Sequence, residues 1–403
     1  MDTIIGRKLS PAANQCKLFR NFRDRLGAFA FTFHPRGCMR LRVMNRRQFL
    51  QATATLATAA AALPALPLGA AEFKNASARR LPRWRGFNLL EKFTKQQGGN
   101  PPFAESDFAT LAEWGFDFVR LPMSYCCWAE PGDWLNLKEA ELKHVDGAVE
   151  LGRQYKVHVN LNLHRAPGYC VNPPREPLDL WTDDKALEAC AFHWAHLAKR
   201  YKGLPNERVS FDLLNEPPDL PEKTYVRVVE RLVEAIRAED PQRLVIADGL
   251  RWGTSPVAGL AGLGIAQSTR GYEPMRISHY KAGWIGGSDR WPEPTWPLNP
   301  GAKDEVNKET LRRNRIVPWK ELEAKGVGVH VGEWGAFNRT PHKVVLAWMT
   351  DCLALWKEAG WGWALWNLRG GFGVLDSGRG DVAYEEFRGH KLDRQMLEAL
   401  RAG

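Results

Sequence analysis

Between Trp84 and Leu400 the chain alternates eight times between a short run of apolar, β-branched residues and an amphipathic stretch of helical length. Nothing else in the sequence constrains the fold as tightly. The predicted strands are Trp84–Leu89, Phe116–Leu121, Val157–Leu163, Val209–Leu214, Leu244–Asp248, Met275–His279, Val327–Val331 and Gly362–Trp366. The predicted helices are Glu105–Trp114, Leu137–Tyr155, Asp184–Tyr201, Pro221–Glu239, a poor one after Thr254, Lys303–Lys325, Pro341–Ala359 and Lys391–Leu400. Gly115, Gly203, Gly326 and Gly360 follow helical stretches, where a left-handed residue ends the last turn. The strands are too apolar for a sheet with one wet face, so both faces should be covered and the sheet parallel. Eight β/α repeats imply closure into a (β/α)8 barrel, an α/β fold in a single domain. A doubly wound open sheet is the alternative. It would carry a Gly-rich phosphate loop after the first strand, and Gly86-Phe87-Asn88 is not one.

Ahead of the repeats stands a segment of different character. Arg46-Arg47 precedes an Ala- and Thr-rich apolar run from Gln51 to about Leu68, followed by the small residues Gly69-Ala70-Ala71. Pro64 and Pro67 interrupt the run, which argues against a membrane span. The order of parts is that of a twin-arginine export signal over residues 44–71. Residues 1–43 are an upstream extension or reflect a mis-assigned start, since Met44 lies three residues before Arg47. The expected mature domain is 72–403, about 332 residues, enough for one barrel with insertions. Export by the twin-arginine translocase to the periplasm or exterior is expected, with no membrane association after cleavage and a monomeric product.

Charge follows the same division. The whole chain carries a formal +10, but residues 1–71 hold eleven Lys/Arg against two Asp/Glu. The rest holds 45 against 44 and is nearly neutral, so no nucleic-acid partner is implied. Five cysteines lie in the expected mature part: Cys126, Cys127, Cys170, Cys190 and Cys352. No CxxC pair or zinc spacing appears, so free thiols are favoured and no metal or other cofactor is expected. A bridge from Cys126 or Cys127 to Cys170 is the alternative.

In such a barrel, reactive side chains sit just past the C-terminal ends of strands. The polar residues fall there: Arg120 after the second strand, His164 after the third, Asn215-Glu216 after the fourth, His279-Tyr280 after the sixth, Glu333 after the seventh and Trp366-Asn367 after the eighth. Singly, each has an ordinary explanation. Glu216 would serve as a capping carboxylate before Pro217, and Glu333 as the partner of a rim arginine. Together they are hard to explain by packing, because buried polar groups are costly unless paired or used. Two glutamates across a barrel mouth are the equipment of glycoside hydrolysis, one donating a proton to the leaving oxygen and one attacking the anomeric carbon or activating water.

Leu213-Leu214-Asn215-Glu216-Pro217 and Val331-Gly332-Glu333-Trp334-Gly335, in that order, resemble the two signatures of glycoside hydrolase family 5, the cellulase family. The resemblance spans residues 82–402. It includes Arg85-Gly86-Phe87-Asn88-Leu89, Val119-Arg120-Leu121-Pro122 and Leu163-His164-Arg165-Ala166-Pro167-Gly168-Tyr169, and a tail, Phe372–Arg379, similar to that of bacterial members. It implies Glu216 as acid/base and Glu333 as nucleophile of a retaining hydrolase. It further implies Asn215 on the sugar 2-hydroxyl, Arg120 keeping the nucleophile ionised, His164 and His279 lining the site, and Trp366 as an aromatic floor. One departure stands out. The family pattern after strand six is His-x-Tyr, but here the tyrosine is adjacent, His279-Tyr280. Neighbouring strand residues face opposite ways, so Tyr280 either reaches the nucleophile through a bulge or packs structurally.

The segment from Trp284 to Pro297 carries Trp284, Trp291 and Trp296 among Gly and Pro. Exposed indoles on such a loop suit stacking on β-linked sugars, and self-packing is the alternative. The expected activity is cleavage of a β-linked glucan, in the manner of an endo-β-1,4-glucanase. β-Mannanase, xyloglucanase and β-1,3-glucanase are alternatives on the same fold, and a non-catalytic carbohydrate-binding barrel is one of another class. The partner in every case is a polysaccharide or oligosaccharide.

Overall fold

The computed structural model of the chain describes residues 73–95 and 100–403. The upstream segment 1–43 and the expected signal 44–71 lie outside the described residues. Eight parallel strands run β1 (Arg85–Asn88), β2 (Phe118–Ser124), β3 (His158–Ala166), β4 (Val209–Asp212), β5 (Val245–Asp248), β6 (Ala266–Gly271), β7 (Val329–Trp334) and β8 (Trp363–Leu365). Each pairs with the next and β8 returns to β1, closing the (β/α)8 barrel.

The outer layer follows from amphipathic periodicity. Helices α1 (Glu105–Glu113), α2 (Glu139–Tyr155), α3 (Asp184–Arg200) and α4 (Glu222–Glu239) follow the first four strands. After β5 come only a kinked turn, Leu250–Gly253, and a 3-10 segment, Ala258–Leu263. Later come α5 (Val317–Glu323), entered through a π turn at Arg312–Ile316, then α6 (His342–Ala359) and α7 (Arg394–Ala402). Helix α3 shows why the local signals suffice. Asp183 caps it through the N–H groups of Lys185 and Ala186, and Lys199 and Arg200 sit in its last turn. Its buried stripe of Ala186, Leu187, Cys190, Trp194 and Leu197 recurs at helical spacing.

One predicted strand is misplaced. Met275–Ser278 is a single helical turn, and the sixth strand lies earlier, at Ala266–Gly271. Its sequence, Ala-Gln-Ser-Thr-Arg-Gly, is almost wholly polar, yet only Gly271 is not fully buried. A search for apolar runs passes over it. Its outward polar groups are paired: Gln267 accepts from the N–H of Val257 (3.0 Å) and donates to its carbonyl (2.8 Å), and Thr269 donates to the carbonyl of Gly253 (3.1 Å). Such pairing makes a polar strand tolerable in the interior.

The barrel interior is layered by strand alternation. The lower layers are apolar and aromatic, built from Trp84, Phe118, Leu244, Ile246, Ala266 and Ala364. His158 stacks on Trp84 there with ring centroids 3.7 Å apart, and burial pushes the pKa of His158 down to about 3, so the imidazole is neutral. Further along the strands the inward positions turn polar: Asn88, Arg120, Asp212, Asp248, Ser268 and Arg270. This polar floor is the base of the site. All five described cysteines are free thiols, so neither Cys126 nor Cys127 is bridged to Cys170.

Candidate active site

Glu333 faces the interior because its strand is irregular. Thr269 pairs with Val331, but the next residue, Arg270, pairs with Glu333, so Gly332 is bulged out of the register. His330 points inward, on the ring of Phe118 at 4.7 Å. Strict alternation would then turn Glu333 outward, and the bulge restores it to the barrel mouth. Trp334 faces outward onto Trp348 and Trp356. Gly332 is required by close approach. A Cβ there would lie 2.4 Å from Ser268 Oγ and 2.8 Å from Arg270 Nη1.

The Glu333 carboxylate is met by three donors. Arg120 Nη1 donates to Oε1 at 2.5 Å, Arg270 Nη2 to the same oxygen at 3.3 Å, and the Tyr272 hydroxyl to Oε2 at 3.1 Å. Arg120 is itself oriented by Asp212 (Nε, 2.7 Å), by Asn88 Oδ1 (3.1 Å) and by Asn215 Oδ1 (2.9 Å). Asn88 also donates to the carbonyls of Gly332 and Leu365, both at 3.1 Å, tying the floor to the strands that flank it.

Glu216 lies past the end of β4 with φ +51°, a left-handed conformation unusual for a glutamate. Both backbone polar groups are clamped. Asp248 Oδ2 accepts its N–H at 2.8 Å, and the Tyr169 hydroxyl donates to its carbonyl at 2.5 Å. Its Oε1 accepts from Arg270 Nε at 3.2 Å. Burial first, and the charge of Glu333 second, raise the Glu216 pKa to about 8, so its carboxyl carries a proton at neutral pH. The two glutamates therefore have distinct environments, a proton donor and a carboxylate loaded with donors.

The remaining expected residues divide. Asn215 is buried, its Oδ1 accepting from both Arg120 and Arg270 at 2.9 Å. His164 lies with Nε2 3.1 Å from Asn172 Oδ1 and 3.4 Å from Asn215 Nδ2. Burial and the Arg120 charge push its pKa well down, leaving it neutral. Trp366 follows β8, its ring 5.6 Å from those of His164 and Phe93. His279 is near the site without being on a strand, its ring 5.1 Å from that of Tyr272, and its pKa is lowered to about 4 by burial.

Tyr280 is corrected. It is buried under Lys281, whose ammonium lies 4.9 Å from its ring centroid, and the tyrosine that bonds Glu333 is Tyr272. With strand six moved, the spacing of the expected pattern returns as Arg270-Gly271-Tyr272, arginine standing where a histidine was anticipated. Of the loop tryptophans, Trp296 packs against the core and donates its indole N–H to Asp351 on α6 at 2.9 Å. Trp291 is half-buried where the turn Ser288–Arg290 ends. Trp284 stands 59% exposed, its ring 4.8 Å from Phe337 and 6.1 Å from His279. Arg270, Tyr272, Asp248 and Asp212 were missed from sequence. Strand alternation would have flagged Asp212 and Asp248 as inward-facing, and Arg270 once the polar strand was recognised.

Comparison with known proteins points one way. Residues 75–371 match the cellulase family, glycosyl hydrolase family 5. Endoglucanase C of Acetivibrio thermocellus is 26% identical over 288 residues, covering 66% of this chain and 83% of that protein. Cellodextrinase A of Ruminococcus flavefaciens is 23% identical over 256 residues, 60% of this chain and 72% of that protein. A crystal structure described as a glycoside hydrolase is 40% identical, with TM-score 0.75, covering 79% of this chain and 99% of the other. Cel5A of Thermotoga maritima, solved with mannotriose, shares the fold at 22% identity and TM-score 0.64, covering 80% and 98%.

Proposed function

Since the chain belongs to glycosyl hydrolase family 5 and is a cellulase-like glycoside hydrolase, we propose that it cleaves a β-linked glucan, endo-β-1,4-glucan first, by double displacement. The observation that carries this reading is the asymmetry of Glu216 and Glu333 about one guanidinium. Burial and a neighbouring carboxyl raise the Glu216 pKa to about 8, while Glu333 accepts three hydrogen bonds. Glu333 attacks the anomeric carbon as the glycosidic bond breaks, and Glu216 gives its proton to the leaving oxygen. Water then attacks the glycosyl ester, its proton passing to Glu216 and the bonding pair returning to Glu333. In this reading Asn215 binds the sugar 2-hydroxyl and Trp366 stacks on the sugar face.

Relatives named endoglucanase support the choice of β-1,4-glucan. Cel5A of Thermotoga maritima takes mannotriose as a substrate in its complex, so β-mannan is the second substrate to assay. Reducing-sugar release is measured from cellulose, mixed-linkage glucan, mannan, xyloglucan and β-1,3-glucan. Product stereochemistry, followed by NMR, should show retention, and inversion would remove the double displacement. Azide should rescue Glu333→Ala as the α-glycosyl azide, and Glu216→Ala on an activated aryl glycoside as the β product. Reversed products would exchange the two roles.

We further propose export by the twin-arginine route on the strength of Arg46-Arg47 and the run that follows. Changing both arginines to lysine should leave the protein in the cytoplasm, and normal export of that variant would refute the route.

A further inference from the structure

Among the described residues, Arg270 hydrogen-bonds both glutamates. Its Nε donates to Glu216 Oε1 at 3.2 Å and its Nη2 to Glu333 Oε1 at 3.3 Å, from a side chain that is 1% exposed. The rest of the guanidinium is anchored. Nη1 donates to Asp248 Oδ1 (2.9 Å) and Ser268 Oγ (3.1 Å), and Nη2 also donates to Asn215 Oδ1 (2.9 Å) and to Asp248 Oδ2. Asp248 Oδ2 is the same oxygen that accepts the N–H of Glu216 in its left-handed conformation. The cation and the backbone of the acid are therefore fixed to one anchor.

We propose that Arg270 is a positioning residue for the charge that moves between the two glutamates, a permanent cation within hydrogen-bond reach of whichever carboxylate is ionised. The proposal rests on the double-displacement reading. In the first step the Glu333 carboxylate pair forms the C–O bond to the anomeric carbon while the glycosidic C–O bond breaks. The leaving oxygen takes the proton of Glu216. Glu333 becomes a neutral ester and Glu216 an anion, so one negative charge crosses from one side of Arg270 to the other. In the second step the water oxygen bonds to the anomeric carbon, the ester bond breaks back onto Glu333, and the water proton goes to Glu216. The charge returns.

In a buried site such a transfer is costly without a counter-charge at both ends. Arg120 reaches only Glu333 of the two carboxylates. An arginine, unlike a histidine, does not lose its charge during the cycle. The charged and titratable groups facing Glu216 include Glu333, Arg270, Asp248 and Arg120, with the Tyr169 hydroxyl on its carbonyl and the Tyr272 hydroxyl beside it. Those facing Arg270 include Asp248, Glu333, Glu216 and Asp212, with Arg120, His164 and the hydroxyls of Tyr169, Tyr225 and Tyr272. Removing Arg270 takes the nearest cation from Glu216 and leaves its anionic form, the base of the second step, unsupported.

The test uses the full-length enzyme with Arg270→Met, Arg270→Lys and Arg270→Gln. The Gln variant retains an amide donor for Asp248 if the Met variant does not fold. kcat/KM is followed against pH, and the pre-steady-state burst is recorded with 2,4-dinitrophenyl β-cellobioside. The neutral variants should move the alkaline limb of kcat/KM upward by about one pH unit or more, since a nearby cation favours the ionised acid. With the aryl substrate they should show a burst followed by turnover slowed about tenfold or more, because removal of the glycosyl group becomes limiting. Arg270→Lys should keep the wild-type limb, and added guanidinium should restore turnover to Arg270→Met. A folded neutral variant with an unmoved limb and no burst, or one altered only in KM or melting temperature, would overturn the proposal. Wild-type stereochemistry is measured alongside, and inversion there would instead sink the underlying mechanism.

Discussion

The hydroxyl of Tyr272 donates to Oε2 of Glu333 across 3.1 Å, while the opposite oxygen is held by two arginines. Hydrogen bonds to a charged group contribute about 1.5–3 kcal/mol. Tyr272→Phe should therefore lower kcat by roughly ten- to a hundredfold with little change in melting temperature. Tyr280→Phe should leave kcat within about twofold, because that ring packs against Lys281 and the tyrosine on Glu333 is Tyr272. Steady-state kinetics on one soluble substrate decides both. The reverse ranking would return the role of Glu333's tyrosine partner to Tyr280.

On the proposed assignment of Glu216 as the acid, it must be protonated, so activity should fall as pH rises through its pKa. With that value raised to about 8, kcat/KM should hold through neutrality and decline near pH 8. The charge of Glu333 is the second cause of the elevation. Glu333→Gln should therefore lower the Glu216 titration, measured by carboxyl 13C NMR. An unmoved titration would mean that burial alone sets it.

The same elevation has a cost in stability. A carboxyl whose folded pKa lies above its unfolded value contributes stability that is full below the unfolded pKa and is lost as pH rises through the folded one. Between about pH 4.5 and about pH 8 the wild type should lose stability on this account, and Glu216→Gln should not. The melting temperature of the variant should exceed that of the wild type by a margin that widens with pH across this window. A constant margin would mean that Glu216 is not protonated in the folded enzyme at neutral pH.

Gly332 tests the bulge. A Cβ at that position meets Ser268 Oγ at 2.4 Å and Arg270 Nη1 at 2.8 Å, both held in the polar floor. Gly332→Ala should destabilise by about 1–3 kcal/mol and reduce kcat by displacing Arg270 and Glu333. Adding Ser268→Gly should recover part of both, measured by urea unfolding and turnover. Wild-type behaviour of Gly332→Ala would show that the strand yields more readily than its packing implies.

The two loop tryptophans should part company. Trp284 is exposed beside His279 and Phe337, whereas Trp296 is bonded to Asp351. Trp284→Ala should weaken binding of long oligosaccharides more than short ones, by on the order of 1 kcal/mol. Trp296→Ala should lower the melting temperature and leave the dependence on chain length unaltered. Calorimetry with a ladder of oligosaccharides separates the cases.

The barrel itself was written locally. Seven strands and the main helices announce themselves by apolar period and by end signals, such as Asp183 at the head of α3, because each element buries a face that its own sequence must supply. The two glutamates were legible for the same reason, since they follow apolar strands whose ends are marked. The sixth strand was not. Its polar residues are stable only because Val257, Gly253, Asp248 and Glu333 wait for them across the fold. The direction of Glu333 was likewise settled by a bulge against the neighbouring strand, and the partner of its carboxylate by which tyrosine that strand delivered. Apolar burial is a property of one segment and can be read from it. Pairing of buried charges belongs to several segments at once, and only the closed barrel brings Arg120, Asp248, Arg270 and Tyr272 to the same few ångströms.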